Sequence, residues 1–312
     1  VTVLIYDQTC AAEKRRRRKK GEYPDPPRRI FINAEVCEGC GDCGLKSNCL
    51  SLLPLETSLG RKRQIDQSSC NKDYSCVEGF CPSFVSVIGG KPKKASAQKI
   101  DAEVLATELS ALPQPQFKDF DQAYDLLFTG IGGTGVVTVA ALITMAAHLE
   151  GKGATQLDFM GFAQKGGAVL SFVRLGQTPD ALNQVRIDEG RADALIACDT
   201  LVAANTDGLL TLSNETKALI NDHETPTGDF TRNADFSLHH EMLIAKIGNR
   251  VGKDNMTRVD AIDAARRLLG DSIGANIYLM GYAWQMGLIP VSHAAIMRAI
   301  ELNGVAIDAN IY

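Results

Sequence analysis

The chain has 312 residues, of which 45% are hydrophobic and 22% charged, and its formal net charge is −4. This balance is typical of a globular protein with a buried core, and the length allows two domains. The longest apolar stretch, near Val136–Ala147, is interrupted by threonines and is too short to cross a bilayer, so we predict no membrane span.

The first segment predicts a strand followed by a helix. Val1–Tyr6 has the apolar and β-branched residues of a buried strand, and a helix is expected to begin near Ala11. A lone strand and helix cannot bury their own apolar faces, so we expect residues 1–22 to be the end of a larger domain. The prolines of the stiff linker that should follow are Pro24, Pro26 and Pro27.

Seven of the 33 basic residues form the unbroken run Lys14–Lys20. A solvated helix face explains such a run. A nucleic-acid site would need aromatic side chains for base stacking, and none is interleaved with these residues. We therefore predict no nucleic-acid partner.

Seven of the nine cysteines lie between positions 37 and 81. Three of them have two-residue spacers, Cys37-x2-Cys40-x2-Cys43, and the last, Cys81, is followed by proline. This pattern is typical of loops that bind [4Fe-4S] clusters. The glycines that would let the backbone wrap closely around a cluster are Gly39, Gly41 and Gly44. The motif predicts a one-electron carrier, and oxygen-sensitive clusters favour a reducing cytoplasm.

The number of clusters remains open, because two clusters need eight thiolates and this region offers seven. In one arrangement a first cysteine set (Cys37, Cys40 and Cys43) is completed by Cys81. A second cysteine set (Cys49, Cys70 and Cys76) would then lack one iron or need a further ligand such as Asp73. In the other arrangement Cys49 completes the first cluster and the rest are structural.

Other uses of these cysteines are weaker alternatives. Structural zinc sites usually have two separated Cys-x2-Cys pairs instead of a triplet. A disulfide framework suits small secreted domains and an even number of cysteines. Free reactive thiols would not require this spacing.

Residues 30–90 form the predicted cluster module, with short strands at Arg29–Asn33 and Phe84–Ile88. A polar, proline-containing linker is expected over residues 91–122, with a short helix at Ala102–Leu109.

From Tyr124 onward the pattern alternates between strands and helices. The predicted strands are Tyr124–Thr129, Thr155–Phe159, Ala168–Leu175, Ala194–Asp199 and Lys217–Asn221. The predicted helices are Val136–Glu150, His239–Val251, Asp260–Leu269, Ala275–Met286 and Ser292–Leu302. The predicted fold class is α/β: a small ferredoxin-like iron–sulfur module followed by a Rossmann-like, doubly wound, mainly parallel sheet.

A glycine turn follows the first of these strands. Gly130, Gly132 and Gly135 match G-x-G-x-x-G between a strand and a helix, the context of a dinucleotide site, and Gly133 adds a fourth glycine. Asp158, near the end of the next strand, stands where a ribose-binding acid would belong. Close packing of a helix on its strand would explain the glycines equally well.

A second loop, Lys165-Gly166-Gly167, lies between two predicted strands. We expect it near the glycine turn at the carboxyl edge of the sheet, because the strands that precede the two loops should be neighbours. Lys165 would contact an anion or a partner there, or the loop is a plain turn.

The remaining candidates are weak. Cys198 lies in an apolar strand and is expected to be an inert thiol. His239 and His240 are adjacent and cannot share one helix face, which argues against a metal site.

Five segments together resemble the fused indolepyruvate:ferredoxin oxidoreductases, which belong to the thiamine-dependent 2-oxoacid:ferredoxin oxidoreductases. They are Val3–Arg18, Cys37–Cys49, Ile65–Cys76, Gly79–Pro82 and Thr129–Val137. The cysteine blocks carry most of the likeness, which extends over nearly the whole chain.

The resemblance implies four regions: the end of a thiamine-diphosphate domain at residues 1–22, a 4Fe-4S ferredoxin-like domain at 30–90, a linker at 91–122, and the gamma or catalytic-domain-III module at 123–312. In that module Lys165-Gly166-Gly167 falls where Arg-Gly-Gly is common.

The implied activity is CoA-dependent oxidative decarboxylation of aryl pyruvates, with electrons passing through one or two 4Fe-4S clusters to ferredoxin. Thiamine diphosphate and Mg would be bound upstream, because their motif is absent from these residues. A homo-oligomer is also expected. The competing interpretations are an NAD(P)-linked iron–sulfur oxidoreductase that uses the Gly130–Gly135 loop, and a plain electron carrier.

Overall fold

The computed structural model describes residues 2–90, 107–108, 110–161 and 166–311. The chain forms two compact units. The first unit combines Val1–Lys93 with Thr225–Leu238, and the second combines Lys94–Glu224 with His239–Tyr312. Most of the predicted helix Ala102–Leu109 falls outside the described residues.

Two antiparallel strand pairs form the frame of the first unit. The two predicted strands of this unit are present as β1 (Arg28–Ile32) and β4 (Phe84–Ile88), and they pair with each other. A hairpin of β2 (Leu52–Thr57) and β3 (Gly60–Ile65) was not predicted. The helices of this unit, including the short 3-10 turns, are Ala11–Lys20, Asp42–Ser47, Ser75–Val77 and Gly228–Thr231.

The predicted strand at Val1–Tyr6 is wrong. Residues 2–10 have no regular structure, and Val3, Leu4 and Ile5 are 76%, 91% and 85% exposed. A strand needs hydrogen bonds from a neighbouring strand, and no described strand pairs with this segment. The backbone hydrogen bonds of a helix are local, and the helix that follows is present at Ala11–Lys20.

The second unit has a six-stranded sheet in the order β10-β9-β8-β5-β7-β6. These strands are β5 (Tyr124–Ile131), β6 (Gly153–Met160), β7 (Ala168–Gly176), β8 (Ala194–Ala197), β9 (Lys217–Asn221) and β10 (Met256–Val259). The four strands from β10 to β5 are mutually parallel, whereas β7 is antiparallel to both β5 and β6. The predicted mainly parallel α/β sheet is therefore confirmed, with an antiparallel hairpin at one edge.

Both faces of this sheet are covered, which explains why its central strand is mostly apolar and buried. Leu126 and Phe128 of β5 belong to one buried cluster, and Leu127 between them belongs to a second cluster on the opposite face. Among residues 124–311, the described α-helices of the unit are Val136–Leu149, Thr200–Ala203, Thr206–Leu210, His240–Val251, Ala261–Leu269, Ala275–Gln285, His293–Asn303 and Ile307–Ile311. Short 3-10 turns lie at Pro179–Ala181, Lys253–Asn255 and Ser272–Gly274. Within the described part of the chain, no helix is long and apolar enough to span a membrane.

A buried ion pair joins β5 to β7. The Arg174 guanidinium donates to both carboxylate oxygens of Asp125, at 2.7 and 3.3 Å. The two residues are direct cross-strand partners, and their side chains are 5% and 11% exposed for Asp125 and Arg174. Burial raises the pKa of Asp125, and the hydrogen bond from Arg174 opposes that shift. The pair fixes the register between the parallel part of the sheet and the hairpin.

Replacing Asp125 by alanine should destabilise the second unit by about 3–5 kcal/mol, because it leaves the Arg174 charge buried and unpaired. Trp284 is the single tryptophan and lies in this unit, so denaturation followed by tryptophan fluorescence measures the loss. As a control, Arg298→Ala removes an exposed ion pair with Glu301 and should cost less than about 1 kcal/mol. Equal losses in the two variants would show that the buried pair does not stabilise the sheet.

Candidate functional site

The first cysteine set lies in the turn and helix that follow β1. The Cys37 N–H donates to the Asn33 carbonyl at 2.9 Å, and Cys43 is in the Asp42–Ser47 helix. Cys37 is buried, Cys43 is half-buried and Cys40 is exposed. The loop between them thus carries three thiols from the interior of the unit to its surface.

Two glycines in this loop have backbone angles that disfavour other residues. Gly39 and Gly41 have φ of 75° and 85°. A Cβ at Gly39 would also collide with the carbonyl oxygen of Arg61. In this conformation the Gly39 N–H donates to the Cys37 sulfur at 3.4 Å, the type of N–H···S contact that ferredoxin loops supply.

The pairing of β1 with β4 brings Cys81 to the same end of the unit. Ile32 at the end of β1 is opposite Phe84 at the start of β4. The Asn33 N–H donates to the Ser83 carbonyl at 2.8 Å, and the Cys81 sulfur lies 3.0 Å from the Ser83 hydroxyl. Cys81 therefore lies in the segment that contacts the turn leading to Cys37, as required if it completes the first set.

The second cysteine set surrounds a small cavity of about 20 Å³, which Cys49, Cys70 and Cys76 line together with Asp73. Burial raises the pKa of Cys76 to about 11, and the charges of Cys70 and Cys49 act in the same direction, since the three thiols are close in space. From the sequence alone, these three cysteines form a set only because they remain after the first set and Cys81 are assigned.

Contacts to β1 hold the loop that carries Cys70 and Cys76. The Tyr74 hydroxyl donates to the Arg28 carbonyl at 2.8 Å, and the Gln67 amide donates to the Ile30 carbonyl at 2.7 Å. On the other side of the pocket the Ser51 N–H donates to the Cys49 sulfur at 3.4 Å. Each set therefore has a sulfur that already accepts a backbone hydrogen bond.

The donor chemistry fits an iron–sulfur cluster. All seven cysteines are free thiols. Among the residues with described positions, no three His, Cys, Asp or Glu side chains converge closely enough to hold one metal ion. A [4Fe-4S] cluster does not need such convergence, because each cysteine binds a different iron. The fit rests on the two cysteine groups and their N–H···S contacts.

In the second unit the structure places the two glycine loops in direct contact. The Gly132 N–H donates to the Gly167 carbonyl at 2.7 Å, and the Gly166 N–H approaches the Gly132 carbonyl at 3.4 Å. The predicted proximity is confirmed, but the reason given for it is wrong: β7 lies between β5 and β6, so the strands before the two loops are not neighbours. Lys165 lies outside the described residues.

The same topology corrects the prediction for Asp158. In a dinucleotide fold the acid follows the strand adjacent to the glycine turn. Here β6 is the edge strand, two positions from β5, because the chain returns through the antiparallel β7. The Asp158 carboxylate accepts hydrogen bonds from Gln156 at 2.9 and 3.1 Å.

Gly130 is required by packing. A Cβ there would lie 2.5 Å from Val136 Cγ2 and 3.1 Å from Cys198 Cβ. Gly133 and Gly135 instead have positive φ, 85° and 98°, and nothing lies within 4 Å of a Cβ at Gly135. The first glycine thus serves helix–strand packing, and these two serve the turn itself.

A polar cluster that was not predicted from the sequence lies at the end of β9 and on β10. Asp222 accepts from His240 at 3.0 Å and from Arg258 at 2.6 Å. Burial would raise the pKa of Asp222, but the Arg258 and His240 hydrogen bonds outweigh it and hold that pKa below its usual value. In the sequence, the position of Asp222 directly after a buried strand could have indicated this cluster. His240 is a hydrogen-bond partner of Asp222 in this cluster.

Cys198 behaves as the sequence suggests. Its thiol is buried, and burial raises its pKa to about 12, so the reactive thiolate is scarce near neutral pH.

Replacing Gly130 by alanine should destabilise the second unit by about 1–3 kcal/mol, since the added methyl overlaps Val136. Adding Val136→Ala should recover part of that loss by removing the overlapping Cγ2 atom. Gly281→Ala is the control: nothing lies within 4 Å of a Cβ there, and alanine favours a helix. Trp284 fluorescence during denaturation measures all three, and a Gly130→Ala variant as stable as the control would contradict the packing role.

Comparisons with known proteins identify the family of the chain. Residues 125–311 match the pyruvate ferredoxin/flavodoxin oxidoreductase family. The indolepyruvate oxidoreductase subunit IorB of Methanothermobacter thermautotrophicus is 22% identical over 180 residues, 58% of this chain and 87% of that protein. The corresponding subunit of Pyrococcus horikoshii is 31% identical over 80 residues, 26% of this chain and 38% of that protein.

Among solved structures, the pyruvate oxidoreductase subunit PORC from Thermotoga maritima is 22% identical, with a TM-score of 0.44 over 61% of this chain and 92% of that chain. The family match alone covers more than half of the 312 residues. The chain therefore belongs to the pyruvate ferredoxin/flavodoxin oxidoreductase family.

Proposed function

We propose that this chain is the electron-transfer and gamma-type part of a 2-oxoacid:ferredoxin oxidoreductase that acts on indolepyruvate and related aryl pyruvates. The observation that carries the proposal is the grouping of seven free cysteines within one unit, as two sets of three and Cys81, in a chain whose second unit contains most of the family match. An oxidoreductase that reduces an iron–sulfur protein needs such a carrier between its substrate site and its acceptor.

In this proposal the first cysteine set and Cys81 hold one [4Fe-4S] cluster, which supplies one-electron transfer when bound. The second set holds another cluster, with Asp73 or a distant residue as its fourth ligand, or a cluster that lacks one iron. The backbone N–H groups of Gly39 and Ser51 already point at cysteine sulfurs and would stabilise their thiolate form. Cys40 is exposed, which suits electron exchange with a docked ferredoxin.

The remaining parts of the proposal follow from the resemblance. Residues 1–22 would be the end of a thiamine-diphosphate domain, which would also bind Mg; residues 30–90 the ferredoxin-like domain; and residues 123–312 the gamma module. CoA would accept the acyl group, and the enzyme would be a cytoplasmic homo-oligomer.

For the glycine turn we propose contact with CoA phosphates or with a partner chain. Gly133 and Gly135 precede the Val136–Leu149 helix, whose first N–H groups have no partner within the helix. The Gly132 N–H, by contrast, is bonded to the Gly167 carbonyl. Lys165 would add a positive charge beside them.

The NAD(P) alternative has less support. It requires the second glycine of the fingerprint to face a pyrophosphate and an acid to follow the adjacent strand. The Gly132 N–H is already bonded, and Asp158 is on the edge strand β6.

Protein purified without oxygen should be brown, with absorption that bleaches on reduction and with at least four iron and four sulfide per chain. Cys40→Ala should lose a cluster, because one iron is left without its thiolate. Cys198→Ala is the matched control and should keep its iron, since that thiol is buried in the second unit. Bound zinc without sulfide, or iron loss in Cys198→Ala alone, would refute the assignment. Spin coupling in the reduced-state EPR spectrum would show two clusters.

The full-length enzyme should oxidise indolepyruvate in a CoA-dependent reaction that reduces ferredoxin or a viologen dye. Dye reduction is followed by absorbance, with NAD as the competing acceptor in a parallel assay. Strict dependence on NAD, without dye reduction, would favour the alternative.

A further inference from the structure

We propose that Arg63 sets the reduction potential of the cluster held by the first cysteine set, by placing a buried positive charge against the loop between Cys40 and Cys43. This rests on the proposed function, because it requires a cluster at that set.

The guanidinium of Arg63 is fixed inside the first unit. Arg63 lies on β3 and is only 2% exposed. Its Nη1 donates to the Lys62 carbonyl at 3.1 Å and its Nη2 to the Ala234 carbonyl at 3.2 Å. Its Cζ lies 4.4 Å from the centre of the Phe230 ring. These contacts leave the group little freedom to turn toward solvent.

The guanidinium faces the cysteine loop. A Cβ built on Gly41 would lie 3.5 Å from Arg63 Nη2, so the charge is in contact distance of the backbone between Cys40 and Cys43.

No carboxylate of the described residues forms an ion pair with Arg63, although several other arginines have one. Arg61 on the same strand contacts Glu56, and Arg174 in the second unit contacts Asp125. Arginine stays protonated in proteins, and an unpaired buried charge is costly. Carbonyl oxygens and an aromatic ring offset part of this cost and leave the positive charge without a formal counter-charge.

A cluster bound by thiolates is a suitable counter-charge. Its irons and sulfides are held by negatively charged ligands, and reduction adds one electron from the reductant and no proton to the protein. A nearby cation therefore stabilises the reduced form more than the oxidised form, and burial keeps salt and water from screening this effect. Net charge around a cluster is one of the determinants of its potential.

The test is a redox titration of the full chain under anaerobic conditions, followed by visible absorption and by EPR of the reduced state. Arg63→Gln should lower the equilibrium constant for reduction at least tenfold, which is about 59 mV for one electron. Arg61→Gln is the matched control: it removes a charge from the same strand that already has a carboxylate partner, and it should leave the potential within a third of that shift.

A second variant keeps Arg63 in place. Ala234→Asp adds a carboxylate beside the guanidinium, because Ala234 Cβ is 3.2 Å from the position of a Gly41 Cβ and the Ala234 carbonyl already bonds Arg63. It should lower the potential as Arg63→Gln does. If the Arg63→Gln variant does not retain its cluster, the reduction potential of Ala234→Asp tests the role of Arg63 instead.

The outcomes separate the two proposals. Wild-type protein that binds no iron and sulfide would refute the proposed function itself. If wild-type protein binds the cluster and Arg63→Gln leaves its reduction potential unchanged, only the role of Arg63 is refuted. If Arg63→Gln binds no cluster, an unchanged reduction potential in Ala234→Asp refutes that role instead.

Discussion

The antiparallel pairing of β1 with β4 is the contact on which the arrangement of the cysteines depends. It joins two strands that are more than fifty positions apart in sequence and aligns the end of one with the start of the other. Cys37 follows β1 and Cys81 precedes β4, so both lie at the same end of the unit. The loop carrying Cys70 and Cys76 is tied to β1 as well, through Tyr74 and Gln67. One short two-stranded ladder thus positions parts of both cysteine sets.

The first unit has few large buried side chains, and the buried side chain beside the loop of the first cysteine set is the charged Arg63. Arg63 is buried among carbonyl groups and the Phe230 ring. Both Phe230 and Ala234 come from Thr225–Leu238, a segment that follows β9 in sequence but belongs to the first unit. The same segment contacts the cysteine helix, where a Cβ at Gly44 would lie 3.1 Å from the Thr231 carbonyl oxygen. The cysteine loops are therefore shaped by residues that are distant in the chain.

The second unit follows a different principle. Its sheet is covered on both faces, so its central strands are almost entirely apolar, and the exceptions are informative. The Asp125–Arg174 pair lies where the parallel strands meet the antiparallel hairpin, and it joins directly opposite residues of β5 and β7. The hairpin also returns the chain to the glycine turn, where Gly132 and Gly167 are hydrogen-bonded. Because of this hairpin, the Gly130–Gly135 segment matches the dinucleotide-binding motif in sequence but has a different arrangement of neighbouring loops.

The sequence by itself determined the features that depend on local patterns. The cysteine spacing, the strand–glycine–helix unit at Tyr124–Leu149 and the four late helices were predictable because helix periodicity and apolar runs are encoded in neighbouring residues. It also indicated the family, through motifs that are contiguous in the chain. The strand predicted at Val1–Tyr6 failed because a strand is stable only with a partner, which residue patterns do not reveal.

Tertiary structure decided everything that requires distant residues to meet. The insertion of β7 between β5 and β6 removed Asp158 from the glycine turn, and only the sheet order shows this. The grouping of Cys49, Cys70 and Cys76 around one pocket and the burial of Arg63 against Gly41 likewise join residues from separate segments. Pairings of this kind depend on backbone hydrogen bonds and packing across the fold, and these are not visible in the order of the amino acids.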